Sequence, residues 1–125
     1  MTTLTLTQTS TKRRAIRGVI WVLQLASAAM FLFSGTLKLS GAPMMVQMFA
    51  ALGLGQWFRY FTGALEVISA VLLLIPSLAR FGALALAVTM VGAILTHMFV
   101  IGGSPAVPIA LLAATTAIAW DRSRD

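Results

Sequence analysis

Cysteine is absent from these 125 residues, acids number three and there is a single histidine, His97. Without cysteine the chain has no disulfide, no dithiol redox motif and no thiolate metal site, so redox chemistry here requires a borrowed cofactor. A lone histidine holds no haem or metal through two imidazoles unless another chain or another ligand joins it, and no metal site is expected. Charge is scarce as well: 10% of residues are charged and 59% hydrophobic, with mean hydropathy +0.95, whereas soluble domains are about 25% charged. A water-soluble domain of this length cannot bury so much apolar surface, but a bilayer can solvate it. Nucleophile motifs, Gly-rich phosphate loops and metal-spaced ligand sets are also missing. The net charge of +6 comes from nine basic residues. They flank apolar runs, as topology determinants do, which argues against nucleic acid as a partner.

What is present is a succession of apolar spans. Residues 1–17 are Thr-rich and then basic, and read as a disordered cytoplasmic tail. A first span over about 18–38 is long enough to cross a bilayer at 1.5 Å per residue. The small triplet Ala26-Ser27-Ala28 resembles a signal-peptidase site, but the apolar run continues through Met30, Phe31, Leu32 and Phe33, beyond a signal h-region. Gly41 and Pro43 then break the helix. The following stretch, closed by Gly53 and Gly55, is too short to span; Met44, Met45, Met48, Phe49 and Leu52 give it an apolar face. Trp57, Phe58, Arg59 and Tyr60 resemble an interfacial aromatic belt. Further spans are expected over about 57–75, 78–100 and 105–120, with residues 121–125 as a second cytoplasmic tail. The predicted fold is an all-α membrane protein, a four-transmembrane-helix bundle with a short interfacial or re-entrant helix between helices 1 and 2. Seven basic residues (Lys12, Arg13, Arg14, Arg17, Arg80, Arg122, Arg124) fall on one face and two (Lys38, Arg59) on the other. The basic face is cytoplasmic by the positive-inside rule, which places both termini inside.

Three charged or titratable groups then lie in the wrong solvent. Glu66 is the only acid between the termini, about 15 Å from the inner end of its span by helix rise; Lys38 and His97 stand about 30 and 28 Å up theirs. The resulting gap of roughly 13 to 15 Å exceeds direct contact, although side chains lean toward their helix N-terminus and so converge on the outer half. Tilt, a dipping 41–56 segment or water could close the remainder. Polar residues recur at spacings of three and four: Gln24, Ser27, Ser34 and Lys38 on the first helix, Arg59, Thr62, Glu66 and Ser69 on the second. On the third, Gly82, Ala85, Thr89, Gly92 and Thr96 form a small-residue stripe suited to close packing in lipid. Phe33-Ser34-Gly35-Thr36-Leu37-Lys38-Leu39 is echoed by Phe61-Thr62-Gly63-Ala64-Leu65-Glu66-Val67, with opposite charge at the sixth position.

The run FSGTLKLSGAPMMVQMFAALGLGQWFRYFTGALEVISAVLLLIP, with LALAVTMVGAILTH after it, resembles the DoxX family of small four-helix membrane proteins, in its DoxX-like branch. The resemblance rests on Lys38 and Gly41, Leu52-Gly53-Leu54, Gly63 with Glu66, Pro76, and Met90-Val91-Gly92-Ala93 with His97. It covers about residues 30–100. It implies a bundle in the cytoplasmic membrane, where some members serve as a subunit of a thiosulfate:quinone oxidoreductase or as the membrane partner of an oxidant-resistance complex. A thiol relay through this cysteine-free chain is excluded, while quinone contact or anchoring of an oxidoreductase partner subunit is not.

The expected ligand-binding set is therefore Lys38, Arg59, Glu66 and His97, holding a small amphipathic molecule such as a quinone, with Glu66 accepting a hydrogen bond or proton. In an alternative of a different class, Glu66 pairs with Lys38, Arg59 or His97 only to fix helix packing in a structural or chaperone-like scaffold. A small transporter is a third reading, less favoured because four helices enclose little volume unless the chain forms a homo-oligomer.

Overall fold

The computed structural model describes residues 2–124, and the side chains of residues 10–124. Five α-helices follow one another: α1 Thr2–Ser40, α2 Pro43–Leu52, α3 Gln56–Leu73, α4 Ala79–Thr96 and α5 Ala106–Ser123, with a π-helical turn His97–Ile101 continuing α4. No strand occurs among the described residues. The long helices α1, α3, α4 and α5 pack in a closed ring, each against two neighbours. Gln24 of α1 meets Leu73 of α3 and Arg122 of α5, so these neighbours run antiparallel to α1. The four alternate up and down around a core of Phe31, Leu73, Leu86 and Ile118. The end at which residues 13–17, the turn after α3 and the end of α5 meet is called basal below; α2 and the π-helical turn close the other.

Three sequence expectations change. The stretch 1–17, expected to be irregular, is the first part of α1 wherever it is described. No proline or glycine stands between Thr2 and Arg17, and a helix already nucleated in an apolar span propagates at low cost. The third span ends in a π-helical turn, which leaves the helix one residue longer per turn at His97. The small-residue stripe of α4 is not its packing face. Ala79, Gly82, Ala83, Leu86 and Met90 are buried instead; at about 100° per residue, that face lies roughly a quarter-turn or more from the predicted one. Of the stripe only Gly82 packs closely. The hydroxyls of Thr89 and Thr96 donate to the carbonyls of Ala85 and Gly92 at 2.9 Å, so neither needs a partner helix.

Burial is inverted relative to a soluble protein. Phe33 and Phe99 are 69% and 77% exposed, while Gln24, Ser27, Glu66, Ser69 and Thr115 are buried. Exposed apolar flanks, with polar side chains buried beside an apolar core, suit lipid as the surrounding solvent. Two helical stretches, Ser10–Ser40 and Ala79–Ile101, are long and apolar enough to cross a membrane.

Glycines set the two closest helix crossings. A Cβ on Gly82 would lie 2.6 Å from the Ser69 carbonyl oxygen, whereas one on Gly92 would meet nothing within 4 Å. Gly82→Ala should therefore destabilise the bundle by about 1–3 kcal/mol through overpacking. Gly92→Ala should be neutral or stabilising by up to about 1 kcal/mol from helix propensity. Thermal unfolding of the two variants in detergent tests the pair, and equal melting temperatures would contradict the packing assignment.

Candidate functional site

The polar cluster of the upper bundle starts from the crossing of α1 and α3. Gly35 and Gly63 face each other there. A Cβ on Gly35 would stand 2.9 Å from the Gly63 carbonyl oxygen, and one on Gly63 would stand 3.0 Å from the Lys38 Cβ. Small residues let two backbones approach closely in lipid, where no hydrophobic force drives helices together. These are the third positions of the sequence echo, and the sixth positions, Lys38 and Glu66, form an ion pair.

Lys38 Nζ lies 3.0 Å from Glu66 Oε1 and 3.2 Å from Oε2, and donates to Ser34 Oγ at 2.7 Å, one turn back on its own helix. The Lys38 side chain is 10% exposed and that of Glu66 2%. The vertical gap expected from the sequence is largely absent. Gly63 is level with Lys38, and Glu66 sits three residues further along α3, about 4.5 Å lower. Level span ends would put residue 75 beside residue 18, whereas the Gln24 amide donates to the Leu73 carbonyl at 2.6 Å, which raises Glu66 by roughly 6–9 Å. Opposed leans of the two side chains close the rest. Of the partners left open for Glu66, the structure selects Lys38.

Arg59, one turn before Gly63, belongs to the same cluster without touching the carboxylate. Its Nη1 donates to the Lys38 carbonyl oxygen. That oxygen is among the last four of α1, which lack an intrahelical donor, so Arg59 caps α1. Its Nε donates to Gln56 Oε1 at 2.7 Å, and Gln56 Nε2 donates to the Val46 carbonyl at 3.1 Å. The guanidinium also lies 4.2 Å from the Tyr60 ring centroid. Through Gln56, and through Phe49 against Phe58 at 5.8 Å between centroids, α2 is fastened over the cluster. Gln56 was not singled out in the sequence. Its position three residues before Arg59 was the available clue.

His97 stands apart. Its Nδ1 lies 2.9 Å from the Ala93 carbonyl, and among the described residues no hydrogen bond or ion pair joins it to Lys38, Arg59 or Glu66. Because a carbonyl oxygen only accepts, Nδ1 carries the hydrogen, and in the neutral ring Nε2 is an acceptor. The π-helical turn that His97 opens packs against α2.

A second polar clamp, which the sequence reading missed, closes the basal end. Gln24, fully buried, donates to the Leu73 carbonyl and accepts from Arg122 Nε at 2.8 Å. Arg122 was expected beyond the membrane in a tail; it is buried in α5, its guanidinium 5.2 Å from the Trp21 ring centroid. No local spacing links residues 98 apart.

A helical chain with an exposed apolar belt, a buried ion pair in its upper half and a second clamp below is built as a membrane-embedded bundle. The model of the DoxX-like family matches residues 22–120. The chain belongs to that family, whose membership places it in a membrane. Neither a curated protein nor a solved structure matches it.

Lys38→Met removes the base and leaves a buried carboxylate alone, which should cost about 3–5 kcal/mol. The double substitution Lys38→Met, Glu66→Leu removes both charges and should recover most of that loss. Thermal unfolding of the wild type, both single variants and the double variant measures the interaction; additive losses would show that the pair does not hold the helices.

Proposed function

We propose that the chain is a non-catalytic membrane scaffold that anchors an oxidoreductase partner subunit, crossing the cytoplasmic membrane four times with α1, α3, α4 and α5 and carrying both termini in the cytoplasm. The orientation is supported by the clustering of Arg13, Arg17, Arg122 and Arg124 around one basal cleft, with Arg80 at the same end. Helices α3 and α5 have 18 residues each, about 27 Å at helix rise, and turn Glu66, Arg59 and Arg122 inward. Helix α2 then lies at the outer surface.

The observation that carries the scaffold reading is the self-sufficiency of the upper network. Lys38 Nζ is taken up by Ser34 and both Glu66 oxygens, and Arg59 by Lys38, Gln56 and Tyr60. A quinone carbonyl at the Lys38–Glu66 pair would have to displace a bond already made, and Arg59 is already committed to the end of α1 and to Gln56. Their role in this reading is to fix the shape of the outer half, on which a partner can rest. One observation favours a second reading, in which an amphipathic ligand such as a quinone meets His97: Nε2 of a neutral ring accepts a hydrogen bond, as a quinol hydroxyl requires, and π-helical turns often mark functional positions.

Gentle solubilisation followed by mass spectrometry of what co-purifies tests the scaffold. The expected result is a partner protein held by the wild type and by Glu66→Gln, with Glu66→Gln lowering only yield and melting temperature. A quinone retained by the wild type and lost in His97→Ala would transfer support to the second reading. Loss of a ligand-dependent activity in Glu66→Gln at unchanged stability would overturn the assignment of Glu66 to packing.

A further inference from the structure

We infer that the basal end carries a binding site for the phosphate of an anionic phospholipid. A cleft of about 550 Å³ opens there, lined by Arg13 and Arg17 of α1, Pro76 and Ser77 of the turn after α3, and Arg122 and Arg124 of α5. Four arginines from two helices line one space, Arg13, Arg17 and Arg124 with exposed side chains and Arg122 largely buried. The charged residues that line it are all arginines. Guanidinium groups match phosphate oxygens in bidentate geometry, which gives the cleft its ligand class.

Two observations distinguish this cleft from a diffuse basic tail. Arg122 is positioned by the buried Gln24, itself fastened to the Leu73 carbonyl, so one wall is held by contacts that tie α1, α3 and α5 together. The level of the cleft is also that of a bilayer interface. Trp21 lies against Arg122, and Trp120, 70% exposed, stands two residues before it, as aromatic residues do at headgroup depth. A phosphate at that depth, attached to acyl chains that run along the exposed apolar flank, has a lipid geometry rather than that of a soluble anion. The inference rests on the membrane placement proposed above and is independent of whether the upper network is a scaffold or a ligand site.

The test uses the full chain in nanodiscs of phosphatidylcholine, titrated with phosphatidylglycerol and read by native mass spectrometry, with inorganic phosphate as a competitor. The wild type should retain phosphatidylglycerol over phosphatidylcholine. Each basic residue near an anionic membrane surface contributes about fivefold, so Arg13→Gln, Arg124→Gln, which also removes two walls of the cleft, should weaken retention by clearly more than the roughly 25-fold due to charge alone. Both side chains are exposed, so the melting temperature should hold. Arg14→Gln, Arg80→Gln removes the same charge outside the cleft and should weaken retention by no more than about 25-fold. Equal losses in the two double variants would reduce the effect to diffuse charge and overturn the site. Displacement of the lipid by millimolar inorganic phosphate would assign the cleft to a soluble anion and overturn the lipid proposal. Stable reconstitution in phosphatidylcholine alone, checked in parallel, separates failure of this site from failure of the membrane placement.

Discussion

Two glycines set the distance at which α1 and α3 cross, and the ion pair of the upper bundle depends on that distance. With Gly63 level with Lys38, the lysine and Glu66 reach each other by leaning toward their own helix N-termini from opposite directions. A side chain at either glycine would part the backbones and leave two charges in a medium that solvates neither. The pair therefore adds little to stability compared with two apolar residues, and much compared with one charge alone. Its value to the fold is in register: the ion pair forms at one vertical alignment of α1 against α3.

The rest of the polar interior follows the same reciprocal logic. Each of these two helices ends in carbonyls without intrahelical donors, and each is served by its neighbour. Arg59 of α3 donates to the Lys38 carbonyl near the end of α1; Gln24 of α1 donates to the Leu73 carbonyl at the end of α3. In water these carbonyls would be hydrated at no cost in sequence. Inside a bilayer an unsatisfied carbonyl costs several kcal/mol, so buried polar side chains at both ends, with Phe31, Leu73, Leu86 and Ile118 between them, are what the surrounding lipid demands.

The sequence shows this interior in outline. Of the residues in the stripes at spacings of three and four on α1 and α3, Gln24, Ser27, Lys38, Arg59, Glu66 and Ser69 are buried and Ser34 and Thr62 half-buried, because a charge or amide on a helix with apolar flanks has few other places to go. On α4 the same counting failed, since threonine can satisfy itself by bonding back four residues and so need not mark an interface. Vertical register was illegible too. Span ends read from hydropathy carry errors of several residues, and at 1.5 Å each these account for most of the apparent separation of Lys38 from Glu66. Arg122 was misplaced for a related reason: its partner is Gln24, and a residue near the chain end reads as tail until the helix that carries it is seen to pack against α1. The π-helical turn at His97 has no pattern in composition that would have announced it.

The two ends of the bundle use charge in opposite ways, and that contrast bears on function. Above, one acid and two bases are enclosed with their partners: Glu66 compensates Lys38, and Arg59 is committed to the end of α1, to Gln56 and to Tyr60. Below, Arg122 is fixed by the same kind of buried amide, and beside it Arg13, Arg17 and Arg124 line a cleft with exposed side chains. Exposed charges keep an electrostatic potential at the surface that an enclosed network does not. Chemistry that requires recognition of an anion is therefore better served at the basal end, while Glu66 belongs to the part of the molecule that holds the helices in place.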